Sequence, residues 1–160
     1  MGKDFRVGIG YDSHRFTAGR PLVIGGVRIP YELGLAAHSD GDVLIHALCD
    51  ALLGAAALKD IGTHFPDNDS QFANIDSTRL LSKVVELLYQ QGWQVHNVDC
   101  TLVLEKPKMK PYIEEMTATL SKLLHLDPAN FSIKAKTNEG MGFTGMGEGI
   151  AAIVVATIEQ

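Results

Sequence analysis

The stretch Arg6-Val7-Gly8-Ile9-Gly10-Tyr11-Asp12-Ser13-His14 decides the fold prediction, because it alternates with the two-residue period of a β-strand. Val7, Ile9 and Tyr11 form an apolar face. On the opposite face two glycines leave the strand bare before it reaches two side chains that can bind metal. We therefore predict an N-terminal strand that carries functional residues at its end.

Those two side chains are Asp12 and His14. Residues i and i+2 of a strand lie on one side about 6.6 Å apart, so both can converge on a single ion. His46, on a predicted helix, supplies a third ligand. Two histidines and one carboxylate match a catalytic zinc site, which keeps its fourth position open. The alternative is that Asp12 and His14 are turn residues and that His46 is a hydrogen-bonded helix histidine.

The helix that carries His46 is predicted over residues 39–58, with Ser39 as its N-cap and Asp42 in the position of a capping-box acid. Asp42, His46 and Asp50 follow at four-residue steps and therefore share one face of the helix. A metal-bound histidine usually donates its second ring N–H to a carboxylate or a carbonyl, and Asp42 or Asp50 could accept it. The acids near the helix start could also serve the helix dipole alone.

The rest of the chain alternates between strand and helix patterns, which predicts one α/β (α+β layered) domain over residues 1–160. We expect a mixed β-sheet with helices packed on one face. The predicted elements are a hairpin at 21–30, a loop at 59–75, helices from 76 or 77 to 92 and from 111 to 123, and strands at 98–104, 131–135 and 149–158.

Composition limits the partners of this chain of 160 residues, which has a formal net charge of −5 and no basic run. This argues against nucleic acid or an anionic membrane, and an anionic small molecule would need positive charge from metal ions. Cys49 and Cys100 lack paired-ligand spacing, which predicts buried thiols in a reducing compartment. The sequence shows no signal peptide, transit sequence or long apolar span, so the expected location is cytoplasmic.

Two polar segments outside the regular elements are candidate binding loops. Residues 60–69 concentrate carboxylates and an amide, which suit the hydroxyl groups of a polyol. A calcium loop, whose spacing is not matched, and a plain surface loop are the alternatives. Residues 105–111 contain three lysines and two prolines, a stiff turn that could contact a nucleobase and a phosphate. The alternative is a solvated connection between a strand and a helix.

A third segment, residues 136–149, is rich in glycine, which permits close approach of a ligand or a neighbouring chain. A dinucleotide-binding fingerprint is rejected, because that motif needs a following helix and an acid about twenty residues on. Glu139, just beyond a predicted strand, is a candidate ligand for a second metal.

Five sequence blocks occur in order along the chain, at residues 10–14, 37–46, 60–69, 107–109 and 142–149. The most specific are Asp12-Ser13-His14 and His38-Ser39-Asp40-Gly41-Asp42. Together the blocks resemble the 2-C-methyl-D-erythritol 2,4-cyclodiphosphate synthase family of the non-mevalonate isoprenoid pathway, over essentially the whole chain.

The resemblance implies that Asp12, His14 and His46 bind one Zn²⁺ per subunit, and that Glu139 holds a Mg²⁺ or Mn²⁺ bridging the substrate phosphates. It assigns transition-state stabilisation to the positions of His38 and Thr137. The residues that it implies in substrate binding are Ser39, Asp60, Ile61, Gly62, Phe65, Pro66, Asp67, Asn68, Asp69, Leu104, Lys106, Pro107, Lys108, Met109, Lys110, Lys136, Asn138 and Phe143.

The implied reaction is cyclisation of 4-diphosphocytidyl-2-C-methyl-D-erythritol 2-phosphate to the 2,4-cyclodiphosphate, with release of CMP. Family members are homotrimers whose sites lie between subunits. Two positions depart from the family pattern: Met146 stands where many members carry an arginine facing a central cavity, and Lys136 replaces a usual threonine.

Two other classes of function stay open at this point. A zinc hydrolase would use metal-bound water together with a base such as His38 or Asp67. A non-catalytic oligomeric module would use the ion structurally, but structural zinc usually has four protein ligands and the sequence offers three.

Overall fold

The computed structural model describes residues 4–160, which form a five-stranded sheet, a separate two-stranded hairpin and a layer of helices. The strands are β1 (Phe5–Thr17), β2 (Leu22–Ile24), β3 (Val27–Ile29), β4 (Gly34–Leu35), β5 (Gln94–Val103), β6 (Phe131–Lys136) and β7 (Gly149–Glu159). The α-helices are α1 (Val43–Ala55), α2 (Ile61–His64), α3 (Ser77–Gln90), α4 (Ile113–Leu124) and α5 (Gly142–Gly145).

The large sheet has the strand order β4-β1-β7-β5-β6. Strand β7 lies between β1 and β5 and is antiparallel to both, whereas β5 and β6 are parallel. The predicted mixed sheet is therefore confirmed. Within β1, Asp12 pairs with Ala152 and His14 pairs with Ile150. Both candidate ligands thus belong to a strand that is hydrogen-bonded along its length, which fixes their backbone positions.

The helices pack on one face of this sheet, as predicted. Helix α1 contacts β1 and β7 on one side and α3 on the other. Its leucines at 44, 48 and 52 are fully buried, and each such side chain contributes about 1.5–3 kcal/mol when it leaves water. The hydrophobic core therefore lies between the sheet and α1, next to the strand that carries Asp12 and His14.

The two faces of β1 are used in an unexpected way. Its apolar face points away from the helices, and Val7 and Ile9 are 67% and 69% exposed. Its glycine face points toward α1, where a Cβ on Gly8 would lie 1.9 Å from Ala51 O and one on Gly10 would lie 1.8 Å from Ala47 O. The strand and helix backbones are therefore in direct contact.

The bounds of α1 differ from the prediction. Asp42 is the N-cap, because its carboxylate accepts a hydrogen bond from Ile45 N, and the helix ends at Ala55. The prediction of Ser39 as N-cap and of helix to residue 58 is therefore wrong. The predicted loop at 59–75 contains α2 and a short 3₁₀ helix, Ser70–Phe72. The polar residues that suggested a loop, Asp60 and Asp69, are the N-caps of these two elements.

Within the described residues, no helix combines the length and the apolar character needed to span a membrane. Cys49 and Cys100 are free and buried, in agreement with the prediction of buried thiols. Burial raises the pKa of the Cys100 thiol to about 12. Both cysteines therefore act as small apolar residues of the core.

Candidate metal centre

Strand β1 and helix α1 bring Asp12, His14 and His46 together into one cluster. The carboxylate oxygen Oδ2 of Asp12 lies 2.8 Å from His14 Nε2 and 3.1 Å from His46 Nδ1. The two histidine nitrogens lie 3.2 Å apart. Among residues 4–160 this is the one cluster of three or more metal-ligating side chains with converging donor atoms. The three residues proposed from the sequence thus converge into a candidate metal site.

The spacing of these donor atoms suits zinc. Ligands at about 2.0–2.1 Å from a tetrahedral Zn²⁺ lie about 3.3–3.4 Å from one another. The three observed separations, 2.8, 3.1 and 3.2 Å, need to expand by only a few tenths of an ångström. With three protein ligands, the fourth position of the ion is left for another molecule.

The charges of the cluster also favour a cation. Burial opposes ionisation of Asp12, but the hydrogen bonds and charges of His14 and His46 outweigh it, so the pKa of Asp12 is lowered. Burial opposes protonation of His46, but its hydrogen bond to Asp12 and the Asp12 charge outweigh it, so the pKa of His46 is raised. Without a bound ion, the positive charge of the histidines therefore stabilises the Asp12 carboxylate. A bound metal cation would supply that positive charge instead.

The second nitrogen of each histidine has a partner that orients the ring. His14 Nδ1 donates to Ala36 O at 3.1 Å. In this tautomer the lone pair of Nε2 is available to bind a metal ion. His46 Nε2 lies 3.1 Å from Ser39 Oγ and 3.0 Å from Ser77 Oγ. The Ser77 hydroxyl in turn donates to Asp40. In this arrangement His46 Nδ1 is directed at the metal position.

The prediction that Asp42 or Asp50 would orient His46 is therefore wrong. Asp42 is fully buried and accepts backbone hydrogen bonds from Gly25, Gly26 and Ile45 at 2.9, 2.7 and 3.1 Å. Burial raises the pKa of Asp42 to about 6. Asp50 accepts from Ile61 N at 2.8 Å and so joins α1 to α2. Both acids shape the surroundings of the site, and the hydrogen bonds of the His46 ring go to other residues.

The metal cluster lies in a pocket of about 330 Å³. Of the sequence-predicted residues, the pocket is lined by Asp12, His14, His38, Ser39, His46, Ile61, Gly62, Phe65 and Asp67. The lining also includes Asp50, which the sequence had placed on the helix face of His46. The lining residues that sequence reasoning did not assign to the site are Ala37, Phe72, Ile75 and Leu80. Phe72 packs edge-on against Phe65 with ring centroids 5.4 Å apart. An isolated aromatic residue in a polar segment was the signal that could have identified it.

Other residues of the 60–69 segment do not line this pocket. Asp60 accepts from Thr63 N at 2.9 Å, and Asp69 accepts from Gln71 N at 3.0 Å. Pro66 and Asn68 are exposed at the surface beside them. The segment therefore contributes an apolar wall and one carboxylate to the pocket, while its other acids stabilise its own turns.

A second, smaller cavity of about 60 Å³ lies at the far end of β5 and β6. Its lining includes Leu104, Pro107, Lys108, Met109, Lys136 and Thr137, together with Glu105 and Ala135. Lys106 and Lys110 are exposed in the same turn. This cavity and the metal pocket share no lining residue. The sequence-predicted residues that line these two cavities therefore form two separate groups.

Glu139 belongs to neither cavity and is not one of the clustered metal ligands. Its φ is +53°, a left-handed conformation that is unusual for glutamate. The Thr137 hydroxyl lies 3.5 Å from its carboxylate. Asn138 N donates to Glu105 at 3.0 Å, which ties this loop to the lysine-containing turn. Phe143 lines a third cavity, which it shares with His14 and Arg15.

An open three-ligand metal site at the base of a pocket is the arrangement of a metal-dependent enzyme, since structural zinc sites are usually closed by a fourth protein ligand. The model of the YgbB family matches residues 5–159 of the chain.

Similar proteins give the same result. A 2-C-methyl-D-erythritol 2,4-cyclodiphosphate synthase from Desulfatibacillum aliphaticivorans is 55% identical over 154 residues, covering 96% of this chain and 99% of the relative. One from Geobacillus kaustophilus (strain HTA426) is 52% identical over 156 residues, covering 98% and 99%.

Solved structures agree with the sequence matches. A CDP-bound form of 2C-methyl-D-erythritol-2,4-cyclodiphosphate synthase aligns with a TM-score of 0.87 and 37% identity, covering 94% of this chain and 98% of that one. The bifunctional IspDF from Campylobacter jejuni aligns with a TM-score of 0.95 and 39% identity, covering 99% of this chain and 43% of that one. The chain belongs to the YgbB family, and the resemblance found in its motifs is confirmed.

Proposed function

We propose that the chain converts 4-diphosphocytidyl-2-C-methyl-D-erythritol 2-phosphate to 2-C-methyl-D-erythritol 2,4-cyclodiphosphate. An oxygen of the 2-phosphate forms a bond to the β-phosphorus, the bond from that phosphorus to the CMP oxygen breaks, and CMP leaves with the electron pair. The observation that carries the proposal is the three-ligand cluster in a pocket also lined by His38 and Ser39. It agrees with the names of the relatives described above.

The 2-phosphate is already anionic at neutral pH, so the reaction needs no strong general base. The requirements are a bent substrate, alignment of the attacking oxygen with the leaving group, and neutralisation of charge. We propose Zn²⁺ on Asp12, His14 and His46, where it would act as a Lewis acid on phosphate oxygens. His38 is exposed beside this cluster and Ser39 is buried, so the ring of His38 is the one free to donate to a phosphate oxygen.

We propose Glu139 as the ligand of a second divalent ion, Mg²⁺ or Mn²⁺, with Thr137 as a hydrogen-bond donor to the reacting phosphate. The left-handed backbone of Glu139 supports this assignment, because strained backbone conformations are enriched at functional positions. Carboxylate oxygens are also the ligands that Mg²⁺ prefers.

The substrate would extend from the metal pocket of one copy to the turn at residues 104–110 of a neighbouring copy. Phe65 and Asp67 line the metal pocket and would contact the methylerythritol unit. Backbone groups of residues 104–109 would contact the cytosine, with Lys108 near its phosphate. Both assignments come from family resemblance and from the cavities that these residues line.

We propose a homotrimer in which one copy supplies the metal pocket and its neighbour supplies the second cavity. The absence of any shared lining residue supports this division, since one substrate must reach both groups. The exposed apolar face of the sheet offers the contact surface: Phe5, Val7, Ile9 and Tyr11 are all at least 51% exposed. Apolar areas of this kind usually mark protein interfaces. Assembly mass in solution tests the trimer.

A phosphorus NMR time course with the cytidyl substrate tests the function directly. Cyclic diphosphate together with CMP is the expected result for the zinc- and magnesium-loaded protein. A linear product would support the hydrolase instead, and an unchanged spectrum would support a non-catalytic module. His46→Ala should form no detectable cyclic product while its circular dichroism spectrum stays that of the wild type.

The matched control is His125→Ala. His125 is an exposed histidine at the end of α4, and it does not line the metal pocket. This variant should keep wild-type CMP release. Wild-type CMP release by zinc-depleted His46→Ala would contradict the proposed role of the metal.

A further inference from the structure

Residues 36–39 connect β4 to the turn before α1, and they belong to no β-strand or helix. All four of their carbonyl oxygens nevertheless accept a hydrogen bond. Ala36 O accepts from His14 Nδ1, His38 O accepts from Asn74 N at 3.0 Å, and Arg20 donates to the remaining two. The position of this segment is therefore set by side chains and by a distant loop rather than by secondary structure.

Arg20 holds the middle of the segment with both arms of its guanidinium group. Its Nη1 donates to Ala37 O at 2.6 Å, and its Nη2 donates to Ser39 O. These two carbonyls belong to the residues on either side of His38. A planar fork of donors fixes two acceptors at once, which a lysine ammonium does not do with the same geometry. Ala37 O belongs to the peptide before His38, and His38 O, in the peptide after it, accepts from Asn74 N. With Ser39 O also held by Arg20, the direction in which the His38 side chain leaves the backbone is fixed.

The same segment also orients both metal-binding histidines. Ala36 O accepts from the ring of His14, and Ser39 Oγ contacts the ring of His46 at 3.1 Å. Arg20 bonds the carbonyls of residues 37 and 39, so it restrains the chain next to each of these two partners. The backbone of Arg20 is itself tightly placed, because a Cβ on Gly34 would lie 2.5 Å from Arg20 O.

We propose that Arg20 is a positioning residue for the metal centre and for His38, acting through the backbone of residues 36–39. The part that concerns turnover rests on the proposed function, whereas the part that concerns metal binding does not. Arg20 contacts neither ligand atoms nor the reacting groups. Its loss should therefore leave every functional side chain present but poorly oriented.

The experiment compares Arg20→Met and Arg20→Lys with Arg28→Met. Arg28 is an exposed arginine of the β2–β3 hairpin, so its replacement controls for loss of one positive charge. Zinc affinity is measured on the apo protein by competition with a chromogenic chelator. Steady-state CMP release gives kcat and KM, and circular dichroism shows whether each variant is folded.

Arg20→Met should bind zinc at least about tenfold more weakly than Arg28→Met, as is usual when the partner of a metal-binding histidine is disturbed. Its kcat should fall about tenfold or more with little change in KM, because substrate contacts stay in place. Arg20→Lys should recover only part of both losses. Added guanidinium at millimolar concentration should partly restore kcat in Arg20→Ala, an effect that does not follow from a general loss of stability.

Zinc affinity and kcat within about twofold of the Arg28→Met values would overturn the proposal. So would full activity in Arg20→Lys, since a single ammonium group would then be sufficient. If Arg20→Met does not fold, Arg20→Lys and guanidinium rescue decide the question. If the wild-type protein forms no cyclic product, the proposed function fails, and the zinc measurement alone decides the role of Arg20.

Discussion

Replacing Gly10 by alanine should weaken the fold and the metal site together. A Cβ at this position would lie 1.8 Å from Ala47 O and 2.8 Å from Ala51 N. Contacts of a Cβ under 3.0 Å essentially never occur, so β1 and α1 would have to separate by about 1.2 Å or more. Both neighbours are backbone atoms, and neither can rotate out of the way as a side chain would.

The size of the effect follows from this geometry. Overpacking a well-packed core costs about 1–3 kcal/mol, and we expect about 3 kcal/mol because only backbone movement relieves the clash. Gly10 is two residues before Asp12, and Ala47 directly follows His46. Metal sites keep their ligand distances within about 0.2 Å, so a separation of about 1 Å should lower zinc affinity at least tenfold.

Urea denaturation measures the loss of stability, and chelator competition on the folded protein measures zinc affinity. Gly54→Ala is the matched control, because Gly54 is an exposed glycine of α1 whose Cβ would meet nothing within 4 Å. That substitution should stabilise the protein by up to about 1 kcal/mol and leave zinc binding unchanged. Wild-type stability in Gly10→Ala would refute the close-contact explanation. Reduced stability with wild-type zinc affinity would refute its link to the metal site.

Three further predictions concern the surroundings of the site. Because the pKa of Asp42 is raised to about 6 in the fold, the free energy of unfolding should fall by about 2 kcal/mol from pH 4 to pH 6 through this group. Asp42→Asn should lack this fall, and parallel pH profiles for the two proteins would contradict the assignment. Glu139→Gly removes a glutamate from a left-handed backbone conformation, so the free energy of unfolding should rise by about 1 kcal/mol. The same change should abolish the magnesium dependence of CMP release. An unchanged magnesium requirement would exclude Glu139 as a ligand. Lys83→Gln removes an ammonium lying 5.2 Å from the Phe72 ring and 5.9 Å from the Phe65 ring, and should cost about 0.5 kcal/mol in urea denaturation; a KM equal to that of the wild type would show that these rings do not depend on the lysine.

The candidate metal cluster could be predicted from the sequence because its geometry is local. Asp12 and His14 share one face of one strand, a relation set by the period of the strand alone. The placement of His46 needed only that a helix should pack on this strand. The partners of the histidine rings could not be predicted in this way. Ser77 lies 31 positions after His46, at the start of α3, and it reaches the ring only because α3 packs on α1. Contacts of that kind depend on tertiary packing and leave no periodic signal.

The first strand shows most clearly where periodicity stops being informative. Alternation of apolar residues with glycine establishes two faces, but it does not say which one meets the helices. The usual rule would bury Val7 and Ile9, yet in this chain they are exposed and Gly8 and Gly10 contact α1. A glycine face permits a backbone-to-backbone contact, and that short distance lets a strand residue and a helix residue hold the same ion. The apolar face is left exposed, which supports the proposed contact with other copies of the chain. Under these proposals the same nine residues would serve both the metal site and assembly, and a variant that buried Val7 against α1 should lose both.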